Sequence, residues 1–337
     1  AFWRCPALTA INVEEDNQKY SCDGNGVLFN KDKTTLIQYP CGKQGSYTIS
    51  NIVTKIEAAA FANCAALTAI NVAVNNPTYS SDDSGVLFNK DKTVLLQCPG
   101  GKQGSYTVPG TVTEIGWRAF EACSRLTSVT IPDGVTTIET GAFLSCDGLI
   151  TVVIPKSVTF INNGAFAECA ALTAIKVDVD NSNYSSDDSG VLFNKDKTVL
   201  LQCPGGKQGS FTIPDGVTQI GYHAFFGCVD LTSVTLPDSV TMIGSNAFEG
   251  CVGLILVTLP NSVTVIGSNA FEGCTGLNAV IIPESVTDIG YFVFNRDPQL
   301  TVYGDVGSFA ETYAKENNIP FALYIKTTGV SLNKYSL

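Results

Sequence analysis

The chain has 337 residues, with 20 lysines and arginines against 31 aspartates and glutamates, for a net charge of −11. That balance argues against nucleic acid, because phosphate binding needs a basic stripe. Hydrophobic residues at 45% are ample for a core, and no apolar run approaches the roughly 20 residues of a membrane span. The one histidine, His223, rules out a multi-histidine metal site and is the only imidazole open to Ser-His or Cys-His catalysis.

Twelve cysteines raise the question of a disulfide framework or a zinc protein. Eight of them, Cys5, Cys64, Cys123, Cys146, Cys169, Cys228, Cys251 and Cys274, lie at intervals of 59, 59, 23, 23, 59, 23 and 23. Each follows a phenylalanine by three residues, and the next step of 23 lands on Asp297 with Phe294 in register. The interval 59 is 23 plus 36, so the cysteines mark an internal repeat.

In chain order, the first element is Ala1-Phe2-x-x-Cys5, the second half of a unit cut from its strand. It predicts a longer parent chain upstream. A full unit runs from Leu126 to Gly148. Leu126, Val129 and Ile131 form a short strand with one buried face. Pro132 lacks an N–H and stops it. Val135, Ile138, Ala142, Phe143 and Cys146 line the return path and must point inward. A unit of this size buries such a face only by stacking on its neighbours. Pro, Gly and β-branched residues predict an irregular or 3₁₀ return path.

The final strand residues count about twelve rungs: Val13, Ile49, Val72, Val108, Ile131, Ile154, Val177, Ile213, Leu236, Leu259, Ile282, and a weaker rung at Leu300-Thr-Val-Tyr. Three long units carry Gly26–Thr34, repeated at Gly85–Thr93 and Gly190–Thr198. Their Val-Leu-Phe and Thr-x-Leu segments flank Asn-Lys-Asp-Lys, the pattern of a β-hairpin added at the solenoid edge. After the last rung, Ser308 and Glu311 form a capping box. Phe309 and Tyr313 share one face of the predicted helix, and Asn317-Asn318 with Pro320 ends it. The expected fold is a mostly-β, α/β-type repeat solenoid, curved and right-handed, with a parallel sheet, three hairpin inserts and a carboxy-terminal helical cap.

The pattern L-x-x-V-x-I-P-x-x-V-x-x-I-x-x-x-A-F-x-x-C resembles the BspA-like, or Treponema-type, leucine-rich repeat family over about residues 1–304. The V-L-F-N-K-D-K-T insert and the G-S-x-A-E-x-Y-A segment resemble that family too. Thr328–Leu337 resembles the opening strand of a bacterial Ig-like group 2 domain. The expected division is residues 1–325 as solenoid, with the cap at 307–325, and residues 326–337 as linker and truncated Ig-like strand. The resemblance implies a non-catalytic module at the bacterial cell surface or secreted. It would adhere to a protein or glycoprotein ligand, such as one of host or matrix origin. The alternative is a structural spacer that presents other domains at the envelope.

Each candidate site has a plain reading beside it. The cysteine column lacks the paired spacing of zinc ligands. Adjacent rungs near 4.8 Å apart would permit disulfides by distance, but pairwise bridges would break the even stacking. A reduced, buried column is expected. No metal and no cofactor is expected. His223 reads as an exposed turn residue, matching Arg118, Asn246 and Asn269. Asp178-Val-Asp-Asn-Ser-Asn-Tyr184 has alternating oxygens like a calcium loop, but its copy Ala73–Tyr79 lacks both acids. Gly-Gly-Lys-Gln-Gly at 100–104 and 205–209 lacks the spacing of a phosphate loop and reads as a connection.

The strand face is the best candidate surface. Positions three and five of each strand point outward: Ser128 and Thr130, Thr151 and Val153, Ala174 and Lys176, Ser233 and Thr235, Leu256 and Thr258, Ala279 and Ile281. Val153, Leu256 and Ile281 are expected as exposed apolar residues there. Threonine and valine also favour strands without any ligand.

Overall fold

The computed structural model describes residue 2 and residues 5–325. The segment resembling an Ig-like strand lies outside the described residues. Among the described residues the chain is a parallel solenoid whose main ladder holds twelve strands in three sheets of two, four and six. They are Gly45–Ile49 and Leu67–Val72; then Gly104–Thr107, Leu126–Thr130, Thr151–Ile154 and Ala174–Val177; then Gly209–Thr212, Leu231–Thr235, Leu256–Thr258, Ala279–Ile281, Thr301–Gly304 and Phe321–Leu323.

The rung ending at Val13 forms no regular strand. Ile11 N–H donates to Gly26 O, and the first ladder strand lies beyond that hairpin turn. The strand at Phe321–Leu323 was not read from the sequence as separate from the cap. It pairs in parallel with Thr301–Gly304 and closes the sheet.

The return path differs from expectation. It carries a second parallel ladder of two-residue strands, such as Glu114–Ile115, Thr137–Ile138 and Phe160–Ile161. The β-branched residues that disfavour helix form short strands here, because the next rung supplies their hydrogen bonds. Each insert is a three-stranded antiparallel unit, for example Tyr79–Ser81, Leu87–Asn89 and Val94–Gln97. Its last strand continues the second ladder by pairing with Glu114–Ile115. The inserts therefore sit within the solenoid and split its main sheet. At the split, Gly85 lies against Ala69, where an added Cβ would come within 2.3 Å of the Ala69 Cβ.

The core is built from columns. Phe120, Phe143 and Phe166 stack at 4.8 and 5.1 Å between ring centroids. Phe225, Phe248, Phe271 and Phe294 stack at 4.6, 5.0 and 5.5 Å. Beside them the cysteines from Cys22 onward are free thiols, and all of these but Cys22 are buried. The Cys146, Cys169, Cys251 and Cys274 thiols each donate to the carbonyl of the phenylalanine one rung back, at 3.0–3.1 Å. That bond explains cysteine at a position where an aliphatic side chain of the same size would pack equally well. Burial pushes the Cys251 thiol well above its ordinary range, so that thiol is chemically quiet.

The helix Phe309–Glu316 is capped by Ser308, whose Oγ accepts from Glu311 N–H, while Glu311 Oε2 accepts from Gly307 N–H. Ala310, Tyr313 and Ala314 face the core, but Phe309 remains 45% exposed, contrary to the expected pairing with Tyr313. Under this cap Asp297 occupies the cysteine position of the last corner. Burial pushes its carboxyl from 3.8 up to about 7; the Cys274 backbone opposes the shift and Glu272 adds to it. The folded state thus favours the neutral acid. The penalty is absent below about pH 4, grows as pH rises, and is complete above about 7. Asp297→Cys is expected to raise the melting temperature by about 2 °C at pH 8 and to leave it unchanged near pH 4. Thermal melts at the two pH values check this.

Candidate functional site

Parallel pairing sets the strand-face residues side by side. Ser105, Ser128, Thr151 and Ala174 form one row, and Val153 pairs with Lys176. Ser210, Ser233, Leu256, Ala279 and Thr301 form the matching row farther along. Thr235 pairs with Thr212, and Thr258 with Ile281.

The structure brings these residues together as two patches. Ser128, Thr130, Thr151, Val153 and Lys176 lie on the four-stranded sheet, while Thr235, Leu256, Thr258 and Ile281 lie on the six-stranded one. The third insert separates them, its Gly190 carbonyl accepting from Ile175 N–H.

Val153 is 54% and Leu256 41% exposed, as expected, but Ile281 is only 9% exposed. Ile281 is in register with Tyr303 and lines a cavity with Gly304 and Tyr324 at the closed end of the sheet. It belongs to packing. Two surface residues escaped the sequence reading: Ile150 at 50% and Ile255 at 52%. The signal was in the spacing. In L-x-x-V the buried residues are three apart, so both intervening side chains face outward, and strict alternation misses the first of them. Ile150 with Val153, and Ile255 with Leu256, put exposed apolar area on each patch.

The other candidates have structural roles. His223 is half-buried, not exposed, with its ring edge-on to Phe226 at 5.5 Å, and burial lowers its pKa. Its φ of 57° is shared by Arg118, Asn246 and Asn269 at 52°, 58° and 59°, so left-handed backbone links the column. In the loop resembling a calcium site, Asp178 Oδ1 accepts from Asp180 N–H. Asn181 is buried, donating to Pro155 O and Val158 O and accepting from Asn183 and Tyr184 N–H. Asn76 makes the same four bonds one insert earlier. In the glycine-rich segments, Lys102 and Lys207 tie the connection to Ser84 O and Ser189 O. Among the described residues no three His, Cys, Asp or Glu side chains gather where a metal could bind, and no helix is long and apolar enough to cross a membrane.

Short parallel strands, apolar corners and stacked return paths define a leucine-rich-repeat solenoid. Residues 37–83, 101–189 and 205–304 match the BspA type leucine rich repeat region, in six copies. These segments make up more than half of the chain, which belongs to that family. It is similar to a leucine rich cell surface protein from Faecalibacterium prausnitzii, at 28% identity over 88% of each chain, with a TM-score of 0.56. The pneumococcal vaccine antigen PcpA shares the fold, at 18% identity over 94% of this chain and 100% of the other, with a TM-score of 0.54. No curated protein matches the chain.

Proposed function

We propose that the chain is a non-catalytic adhesion module at a bacterial cell surface, which takes a protein or glycoprotein ligand on its strand face. Ser128, Thr130, Thr151, Val153 and Lys176 form one contact patch, and Thr235, Leu256 and Thr258 the other. The observation that carries this reading is the exposure of Ile150, Val153, Ile255 and Leu256 on a face with few charges. Such patches mark interaction surfaces. The cell-surface location given for the Faecalibacterium protein supports the setting.

The test is surface plasmon resonance against immobilised matrix glycoproteins. The expected result is saturable binding that falls by about tenfold or more in Val153→Glu and Leu256→Glu, as for a central contact. Equal binding by both variants would move the site elsewhere. Absence of binding to the whole panel would favour a spacer.

A further inference from the structure

Where one 23-residue unit follows another, each corner phenylalanine N–H donates to a carbonyl in the next corner. Phe120 donates to Ala142 at 2.7 Å, Phe143 to Ala165 at 2.8 Å, Phe248 to Ala270 at 2.7 Å and Phe271 to Val293 at 2.9 Å. The second and third hairpin units have no such corner, because Gln97-Cys98-Pro99 and Gln202-Cys203-Pro204 replace it. The corners ending in Phe61 and Phe166 are each followed by such a unit. Both phenylalanines are buried, and neither backbone N–H finds an acceptor among the described residues. Buried N–H groups without partners are rare.

A notch opens at each place. The first is about 220 Å³ and is lined by Ala58, Phe61, Leu96, Gln97 and Trp117. The second is about 90 Å³ and is lined by Asn163, Phe166, Leu201, Gln202 and Tyr222. Trp117 and Tyr222, at equivalent positions, stand 42% and 46% exposed on the rims.

The fold meets the same deficit elsewhere in one way. Tyr79 Oη accepts from Ile56 N–H at 3.0 Å, and Tyr184 Oη from Ile161 N–H at 2.8 Å. At the last corner Tyr313 Oη accepts from Val293 N–H at 3.1 Å, with its ring edge-on to Phe294 at 6.0 Å. Three interrupted ladders are thus finished by a phenol that fills the gap with its ring and offers its oxygen to the stranded donor.

We propose that the notches at Phe61 and Phe166 are binding sites for tyrosyl side chains of a partner protein. The ring lies against the rim aromatic and the corner phenylalanine, and the hydroxyl oxygen accepts from the Phe61 or Phe166 N–H. This rests on the reading of the chain as a protein-binding module and adds a second place of contact, away from the strand face.

The probe is N-acetyl-tyrosinamide, with N-acetyl-phenylalaninamide as the ring without the oxygen, titrated by calorimetry into the full chain. Saturable binding is expected, with the tyrosyl probe tighter by about threefold or more, the value of one hydrogen bond. Ala58→Trp with Asn163→Trp fills both notches from their exposed rims and abolishes binding, with folding verified by the melting temperature. If a tryptophan disturbs its corner, Trp117→Ala with Tyr222→Ala decides by weakening binding at least about threefold. No saturation by about 10 mM probe, equal affinity for the two probes, or undiminished binding in the variants overturns the proposal. Val153→Glu and Leu256→Glu leave probe binding intact, so failure of the strand-face reading is distinguishable from failure of this one.

Discussion

Phe248→Ala is expected to lower the unfolding free energy by roughly 3–5 kcal/mol. The ring is fully buried and stacks on both neighbours, Phe225 at 4.6 Å and Phe271 at 5.0 Å. Its loss opens a cavity in the middle of a column whose neighbours cannot collapse into it, because each ring is held by its own rung. Nearest-neighbour coupling carries the damage to both adjacent units. Urea denaturation followed by circular dichroism measures it. A loss below about 1 kcal/mol would mean that the column tolerates gaps, against the usual behaviour of close-packed cores.

Asn181→Ala comes next, with an expected loss of about 3 kcal/mol, because it strands several buried polar groups at once. The side chain is 0% exposed and makes four hydrogen bonds to backbone. Two carbonyls and two N–H groups would lose their partner, and alanine offers none of them a replacement. The same denaturation experiment reads the effect. Asn183→Ala, an exposed neighbour in the same loop, serves as control and should change stability by less than about 0.5 kcal/mol.

Much of the fold was legible because the repeat encodes its own geometry. The 23-residue step fixed the rungs, Pro132 and its counterparts ended the strands, and the Asn-Lys-Asp-Lys segments placed the hairpins. What was missed depends on contacts between rungs. The second ladder of two-residue strands is too short to show a period of its own, and it exists only because the next copy pairs with it. The role of Asn181 was hidden for a similar reason, since two of its four partners come from the preceding rung. Of the candidate face, Val153 and Leu256 were read correctly from position. Ile281 was misread because its cover comes from the end of the sheet, beyond the repeat pattern. Ile150 and Ile255 were missed through too strict an alternation.

The central claim is that cohesion runs through the corner columns and leaves the strand face free for a partner. Leu256 and Phe248 belong to neighbouring strand and corner segments and divide those roles between them. The melting temperature of Leu256→Glu is therefore the most direct test. A residue 41% exposed on a surface free to bind should accept the charge with a change within about 1 °C. A fall comparable to that of Phe248→Ala would show that Leu256 holds the fold together, and would contradict the claim.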